Sequence, residues 1–531
     1  MVIMGKIQNY VKSLSEGKRT LCKATIMALL PILCCIVYCA LQGHSVMDVY
    51  LPAGEWNDEL LYFKQIEAVV EHGIPLGYFG YNEGHAEYLS FGAWSPVLFI
   101  PWVLWGLLFG WNLMSPILCN IFLMTVAMFV FVVLTKLNWK QLGTLALLYC
   151  LFPMFTRYVL SGMPEIICIS MVIVFYGLGY SYLKCERGAK IVWMFVLSAL
   201  LTLMRPYMCL FMFLPIFLWV RRSKSWQSIA GSVTVLLGTF GMYVVINNLL
   251  GAEYLEPMFS VEWLKVLLDE GIAEGIRYIL FTLVHKGAEF AAGITEALRS
   301  GYPVGAFFTV FLVSALIMTV QCVIGIVRRK FEDTEADMIL CGHCAFTFWG
   351  MFAAQLLMYS LNDGSRHLNT FVAAAICLIA VTERKLPGKT AVLGILFLYL
   401  FAVKGNYPHF YQVPFATEER LEWVQYWEDA FAEEMALERV AAPNYDNVVS
   451  WVLTDSVEGG TPTLTDWNAL YALPAGMGIN CCYSDYINDN IKRLKGKYLA
   501  TLSGGSVDVN CINEGFKEIG RNGNVVIYRV R

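Results

Sequence analysis

The chain has 531 residues, of which 57% are hydrophobic and 15% charged, with a mean hydropathy of +0.56. A soluble domain runs nearer 45–50% apolar and about 25% charged, so a water-filled enzyme, a disordered chain and a polyanion binder with a basic face are excluded. The net charge of -4 adds nothing that would draw it to nucleic acid. Most of its 16 cysteines stand inside apolar runs, where Cys behaves as a small hydrophobe. The composition is that of a polytopic membrane protein.

A membrane helix needs about 20 mostly apolar residues. Such runs occupy 21–42, 114–134, 142–158, 164–183, 191–220, 227–248, 303–327, 338–360, 367–382 and 389–404, with a shorter one at 94–110. The first follows Lys6, Lys12, Lys18, Arg19 and Lys23, which keeps the N-terminus cytoplasmic. Basic clusters at Lys136/Lys140, Lys184/Arg187/Lys190, Arg221/Arg222/Lys224, Arg328/Arg329/Lys330 and Arg384/Lys385/Lys389 mark further inner loops. Run 191–220 has such a cluster at both ends, so it should be a hairpin of two short helices broken at Arg205-Pro206. Segment 94–134 should cross once, with 94–110 re-entrant or interfacial. The expected fold is mostly α, a bundle of about 11 spans over 1–405 with outside loops at 43–93 and 249–302.

The first outside loop holds eight acids against the single base Lys64. Within it, 58–72 has helical spacing, with Leu61, Ile66, Val69 and Val70 available for one apolar face against the membrane surface. Residues 259–299 repeat that character. From 406 the composition changes: 17 acids stand against 10 bases, a polar helix is predicted at about 417–440, and strand-like runs follow at 447–453, 469–473, 497–502 and 524–530. Arg521-Asn522-Gly523-Asn524 reads as a turn. The tail 406–531 is predicted to be a small α/β domain on the extracytoplasmic side, where Cys481 or Cys482 could pair with Cys511.

Asp58 and Glu59 open the first outside helix. They suit a general base or metal ligand at the membrane boundary, and equally a helix N-terminus that favours acids. Arg157, Glu165, Arg205, Arg366 and His367 stand within or beside apolar runs, where charge is costly and therefore a functional candidate. All fall at predicted outer ends, so they could line one cavity in which Arg forks hold a phosphate. The plainer alternatives are snorkelling and an Asp363–Arg366 pair. His85 with Glu83 and Glu87 offers a weak metal set. Cys341-Gly-His-Cys344 has thioredoxin-type spacing in a membrane-helix context that does not suit redox work. No phosphate-binding loop, serine-hydrolase elbow or zinc-protease motif is present.

The order of these features resembles the GT-C superfamily of membrane glycosyltransferases, which includes protein O-mannosyltransferases and aminoarabinose transferases. The residues that carry the resemblance are Asp58-Glu59 at the start of the first outer loop, Trp94-Ser95-Pro96-Val97-Leu98 at its end, the outward turn Phe152-Pro153 through Pro164-Glu165, Leu203-Met204-Arg205-Pro206, and Ser365-Arg366-His367-Leu368 before a late span. The resemblance covers roughly 1–405. It implies transfer of a sugar, with inversion, from a polyprenyl-phosphate donor to an extracytoplasmic glycan, lipid or protein. Asp58 and Glu59 would be catalytic, Arg157, Glu165, Arg205, Arg366 and His367 would bind donor phosphate, and a divalent metal is compatible. In a bacterium the protein would lie in the plasma membrane. A transporter or flippase, a polymerase of lipid-linked saccharides, and an inactive relative are the alternatives.

Overall fold

The computed structural model describes residues 15–51, 57–73, 79–83, 95–152, 154–250, 260–300, 303–327, 335–358, 365–382, 414–434, 448–457 and 460–530. In chain order the helices are α1 (Glu16–Ala40), α2 (Asn57–His72), α3 (Ile100–Phe109), α4 (Ser115–Thr135), α5 (Trp139–Leu151), α6 (Met154–Val159), α7 (Glu165–Lys184), α8 (Gly188–Met204), α9 (Phe213–Ser223), α10 (Trp226–Leu250), α11 (Glu262–Asp269), α12 (Ile272–Ser300), α13 (Pro303–Val327), α14 (Glu335–Met358) and α15 (Leu368–Val381). The C-terminal part contributes α16 (Glu418–Glu434), α17 (Ser484–Asn490) and α18 (Ser506–Glu514). Strands are β1 (Phe79–Tyr81), β2 (Val448–Val452), β3 (Thr454–Asp455), β4 (Thr463–Leu464), β5 (Gly478–Cys482), β6 (Tyr498–Leu502), β7 (Lys517–Asn522) and β8 (Val525–Arg529).

The fold is mostly α. Six described helices, α1, α4, α7, α10, α13 and α14, are long and apolar enough to cross a membrane, and three shorter apolar helices accompany them. The protein is a multi-pass membrane protein on this length and composition. Leu29, Leu33, Ile36 and Val37 are exposed on α1, as are Val233, Leu237, Val244 and Val245 on α10, a pattern for lipid rather than water. α15 is buried along its whole length, and α7 lies at the centre beside it.

Two predicted runs are broken. Residues 142–158 do not form one helix: α5 stops at Leu151, ahead of Phe152-Pro153, and α6 adds only six buried residues. A residue before proline disfavours helical backbone, which sets that break. Run 191–220 folds as the expected hairpin, with Arg205 extended (φ -147°, ψ 113°) and a 3-10 turn over Pro206–Met212 at its apex. Its legs meet where the Phe195 and Trp219 rings lie 5.7 Å apart. Run 389–404 lies outside the described residues.

The C-terminal part builds a six-stranded sheet in the order β1-β5-β2-β6-β8-β7. β1, β5, β2 and β6 are mutually parallel, while β6, β8 and β7 are antiparallel. β2, β6, β8, α16 and the turn at Gly523 (φ +59°) fall where the sequence places them. Residues 469–473 do not form a strand. They lie in a 3-10 helix over Trp467–Ala472, because the Asp466 carboxylate accepts from the Asn468 N–H and caps it. Cys481, Cys482 and Cys511 are free and buried, the latter two in one core cluster.

The first loop and the tail are one construction. β1 adds to the edge of the sheet through β5, and Tyr50 N–H donates to Pro414 O (2.9 Å). α2 is not exposed on one face: Leu60, Tyr62, Phe63, Lys64, Gln65, Ile66 and Ala68 are all buried. It is packed between α3 and the Trp467–Ala472 turn, so the predicted single apolar stripe misses half of what it covers.

Candidate active site at one end of the helical bundle

The site is assembled at helix ends. α7 and α15 present their N-termini there, α8 its C-terminus, and α2 its first turn. Arg205 occupies the extended residue forced by Pro206, so it sits at the hairpin apex rather than along a helix face. Glu165 begins α7 directly after Pro164, and Arg366 and His367 form the 3-10 turn that opens α15.

These residues form a connected network. Arg366 Nη1 lies 2.7 Å from Asp58 Oδ2, and Arg366 Nε is 3.8 Å from Glu165 Oε1. Arg205 Nη2 donates to Glu165 Oε1 at 2.9 Å, and its Nη1 donates to His367 Nδ1 (2.5 Å) and to the Tyr207 hydroxyl (3.3 Å). An arginine cannot accept, so His367 Nδ1 is the acceptor in this contact. The His367 ring packs against Tyr207 with centroids 5.7 Å apart.

Glu59 lies one residue from Asp58 and faces inward. Its Oε1 accepts from the Gly162 N–H at 2.8 Å, while its buried Oε2 has no hydrogen-bond partner among the described residues. Burial pushes the Glu59 carboxyl up to about 7, with the Arg157 guanidinium and the Gly162 N–H pulling in the opposite direction. Gly162 packs closely on this acid: a Cβ there would stand 3.1 Å from Glu59 Cβ, so the neighbour would have to give by a few tenths of an ångström. The turn that presents it is fixed from behind: Trp102 Nε1 donates to Asn120 Oδ1 (3.1 Å), and Asn120 Nδ2 donates to Ser161 O (3.0 Å). Arg157, on α6, donates to Leu160 O at 3.4 Å in the same turn.

Burial divides the seven predicted residues. Arg157, Glu165, Arg205, His367 and Glu59 are buried, whereas the Asp58 and Arg366 side chains retain 28% and 23% exposure. Arg366 is therefore paired with Asp58 across the two chain segments, and Asp363, its sequence neighbour, lies outside the described residues. Tyr62, Tyr158 and Tyr207 complete the walls. The sequence reading missed all three, because a tyrosine in an apolar stretch carries no signal that separates a site wall from ordinary core.

Other candidates are placed elsewhere. The Glu83 carboxylate accepts from Ser450 Oγ (2.9 Å), Lys495 N–H (2.9 Å) and Gly496 N–H (2.8 Å), so it fastens β1 to the sheet. His85 and Glu87 lie outside the described residues. Cys341 and Cys344 are buried within α14, and Cys341 Sγ lies 3.1 Å from Gln321 Oε1. No group of three or more His, Cys, Asp or Glu side chains suited to a metal occurs among the described residues. The carboxylates that do converge fit a divalent cation poorly, since Asp58 and Glu165 are each held by a guanidinium.

No family model matches the sequence, and no curated protein matches it either. Solved structures do resemble it. The Archaeoglobus fulgidus oligosaccharyltransferase, crystallised with Zn and sulfate, is 12% identical with a TM-score of 0.45, covering 89% of this chain and 68% of its own. ArnT from Cupriavidus metallidurans bound to undecaprenyl phosphate is 10% identical with a TM-score of 0.41, covering 95% of this chain and 97% of its own. At these identities and TM-scores the likeness assigns no role to this chain.

Proposed function

We propose that the protein is an integral membrane glycosyltransferase that moves a sugar from a polyprenyl-phosphate donor to an acceptor on the extracytoplasmic side. The observation that carries this reading is the meeting of Asp58, Arg366, Glu165 and Arg205 at one end of an apolar bundle. A lipid-linked phosphate arriving in the outer leaflet meets guanidinium groups there, reinforced by the positive ends of α7 and α15. The roles divide by exposure. Arg366 reaches the headgroup, while Glu165, Arg205 and His367 hold it in place from beneath, and Glu59 with Arg157 sets the neighbouring turn.

In the proposed step the acceptor oxygen forms a bond to the anomeric carbon as the carbon–oxygen bond to phosphate breaks. The acceptor proton passes to the Asp58 carboxylate, and the electron pair leaves with the phosphate, whose added charge Arg366 and the helix ends stabilise. Asp58 is the acid with an open face, so a single displacement with inversion fits better than a second carboxylate acting as nucleophile. Among the described residues no side-chain group suits a divalent metal, and the proposed step uses none.

The test is transfer from a panel of polyprenyl-phospho-sugars in reconstituted membranes. Asp58→Asn should lose at least about a hundredfold in turnover, the range of a general base. Turnover equal to that of the wild type would remove Asp58 from the mechanism.

A further inference from the structure

We infer that the Asp58–Arg366 ion pair is a latch that the donor phosphate opens, so that the acid becomes free to act only after the donor has bound. This rests on the glycosyltransferase reading above. In the structure each exposed partner occupies the other: Asp58 Oδ2 sits 2.7 Å from Arg366 Nη1. While that contact stands, the oxygen that would take the acceptor's hydrogen is occupied by the guanidinium. The same contact fills one corner of the fork that a phosphate would use.

The Arg366 side chain is otherwise only partly exposed, at 23%. Arg366 Nε is buried with no hydrogen-bond partner among the described residues, and Glu165 Oε1 lies 3.8 Å from it, beyond hydrogen-bond range. Glu165 is committed to Arg205 at 2.9 Å. An incoming phosphate oxygen therefore meets the exposed part of the guanidinium, where it competes with Asp58 for the outer nitrogens and offers the planar two-point geometry that arginine prefers. Asp58 is the partner that gives way, since it stands on the separate helix α2 and is exposed on one side, whereas Glu165 is buried. Donor binding and base release become one event, which orders the substrates donor first and leaves the acid masked when no donor is present.

The experiment measures binding, not turnover. The full chain in nanodiscs of neutral lipid is titrated with a polyprenyl phosphate, and in a second arm with inorganic phosphate. Removing the competitor with Asp58→Asn should tighten polyprenyl phosphate binding roughly two- to fivefold, the worth of a partly exposed ion pair. Asp58→Glu, which keeps the competing charge, should bind like the wild type, and Arg366→Lys should weaken binding at least about tenfold because the fork is lost. Equal or weaker binding by Asp58→Asn, with Arg366→Lys still impaired, overturns the latch and leaves the phosphate site standing. No binding by any form overturns the glycosyltransferase reading and the latch with it. A gain seen with inorganic phosphate and absent with the lipid overturns the assignment of the ligand to a lipid headgroup.

Discussion

Glu59 shows how differently two adjacent acids can be used. Asp58 keeps an open side, while Glu59 is buried with one oxygen on the Gly162 N–H and the other without a partner, and its carboxyl is pushed up to about 7. A carboxyl that holds its proton more tightly when folded stabilises the protein at low pH, and that contribution is lost as pH rises from about 4.5 to about 7. The wild type should therefore melt at a lower temperature at pH 8 than at pH 5.5, and Glu59→Gln should flatten the difference by about 2 kcal/mol. Melting in detergent at both pH values checks it; a variant with the wild-type slope would mean that the buried carboxyl is ionised throughout. The charged members of the site were legible in the sequence because charge beside an apolar run is costly and therefore conspicuous. Gly162, Asn120 and the three tyrosines were not, since their roles depend on which neighbour the fold brings and not on their own cost.

The same limit holds for elements. α4, α7, α10, α13 and α14 could be read from unbroken apolar length, and β2, β6 and β8 from β-branched runs between turn residues. β1 could not, because Phe79–Tyr81 is three residues long and becomes a strand only by pairing with β5, about 400 positions later. Nor could the helical turn over Trp467–Ala472, whose apolar content mimics a strand until the Asp466 cap is seen. Glu83 is what fastens this remote pairing, with three donors on one buried carboxylate. Losing it strands the Lys495 and Gly496 N–H groups at a cost of roughly 1–3 kcal/mol each. Glu83→Ala should therefore loosen the β1 edge, and limited proteolysis should cut near it well before the wild type is cut. Identical digestion patterns would show that the β1–β5 ladder holds without its anchor.

At the scale of the whole molecule, the acid helix α2 is a shared part of bundle and tail. α2 carries Asp58 and Glu59 at one end, while along its length Lys64 donates to Leu473 O and pairs with Glu67, the Phe63 and Tyr471 rings lie 5.4 Å apart, and His72 Nε2 lies 3.1 Å from Ala475 O. The tail must then lie on the same side of the membrane as the acids. Cys185 follows α7 at the end opposite Glu165 and is exposed, beside the basic cluster Lys184/Arg187/Lys190. Basic clusters stay in the cytoplasm, so the site and the tail should face outward and Cys185 inward. A membrane-impermeant maleimide applied to intact cells should label Val509→Cys, whose position on α18 is 51% exposed in the parent. Labelling lost in Cys185→Ser should be confined to permeabilised cells. Because the two positions lie at opposite ends of one connected structure, a single inversion would reverse both outcomes together. Labelling of Cys185 from outside would therefore turn the whole assembly over and place the Asp58–Arg366 pair on the cytoplasmic face.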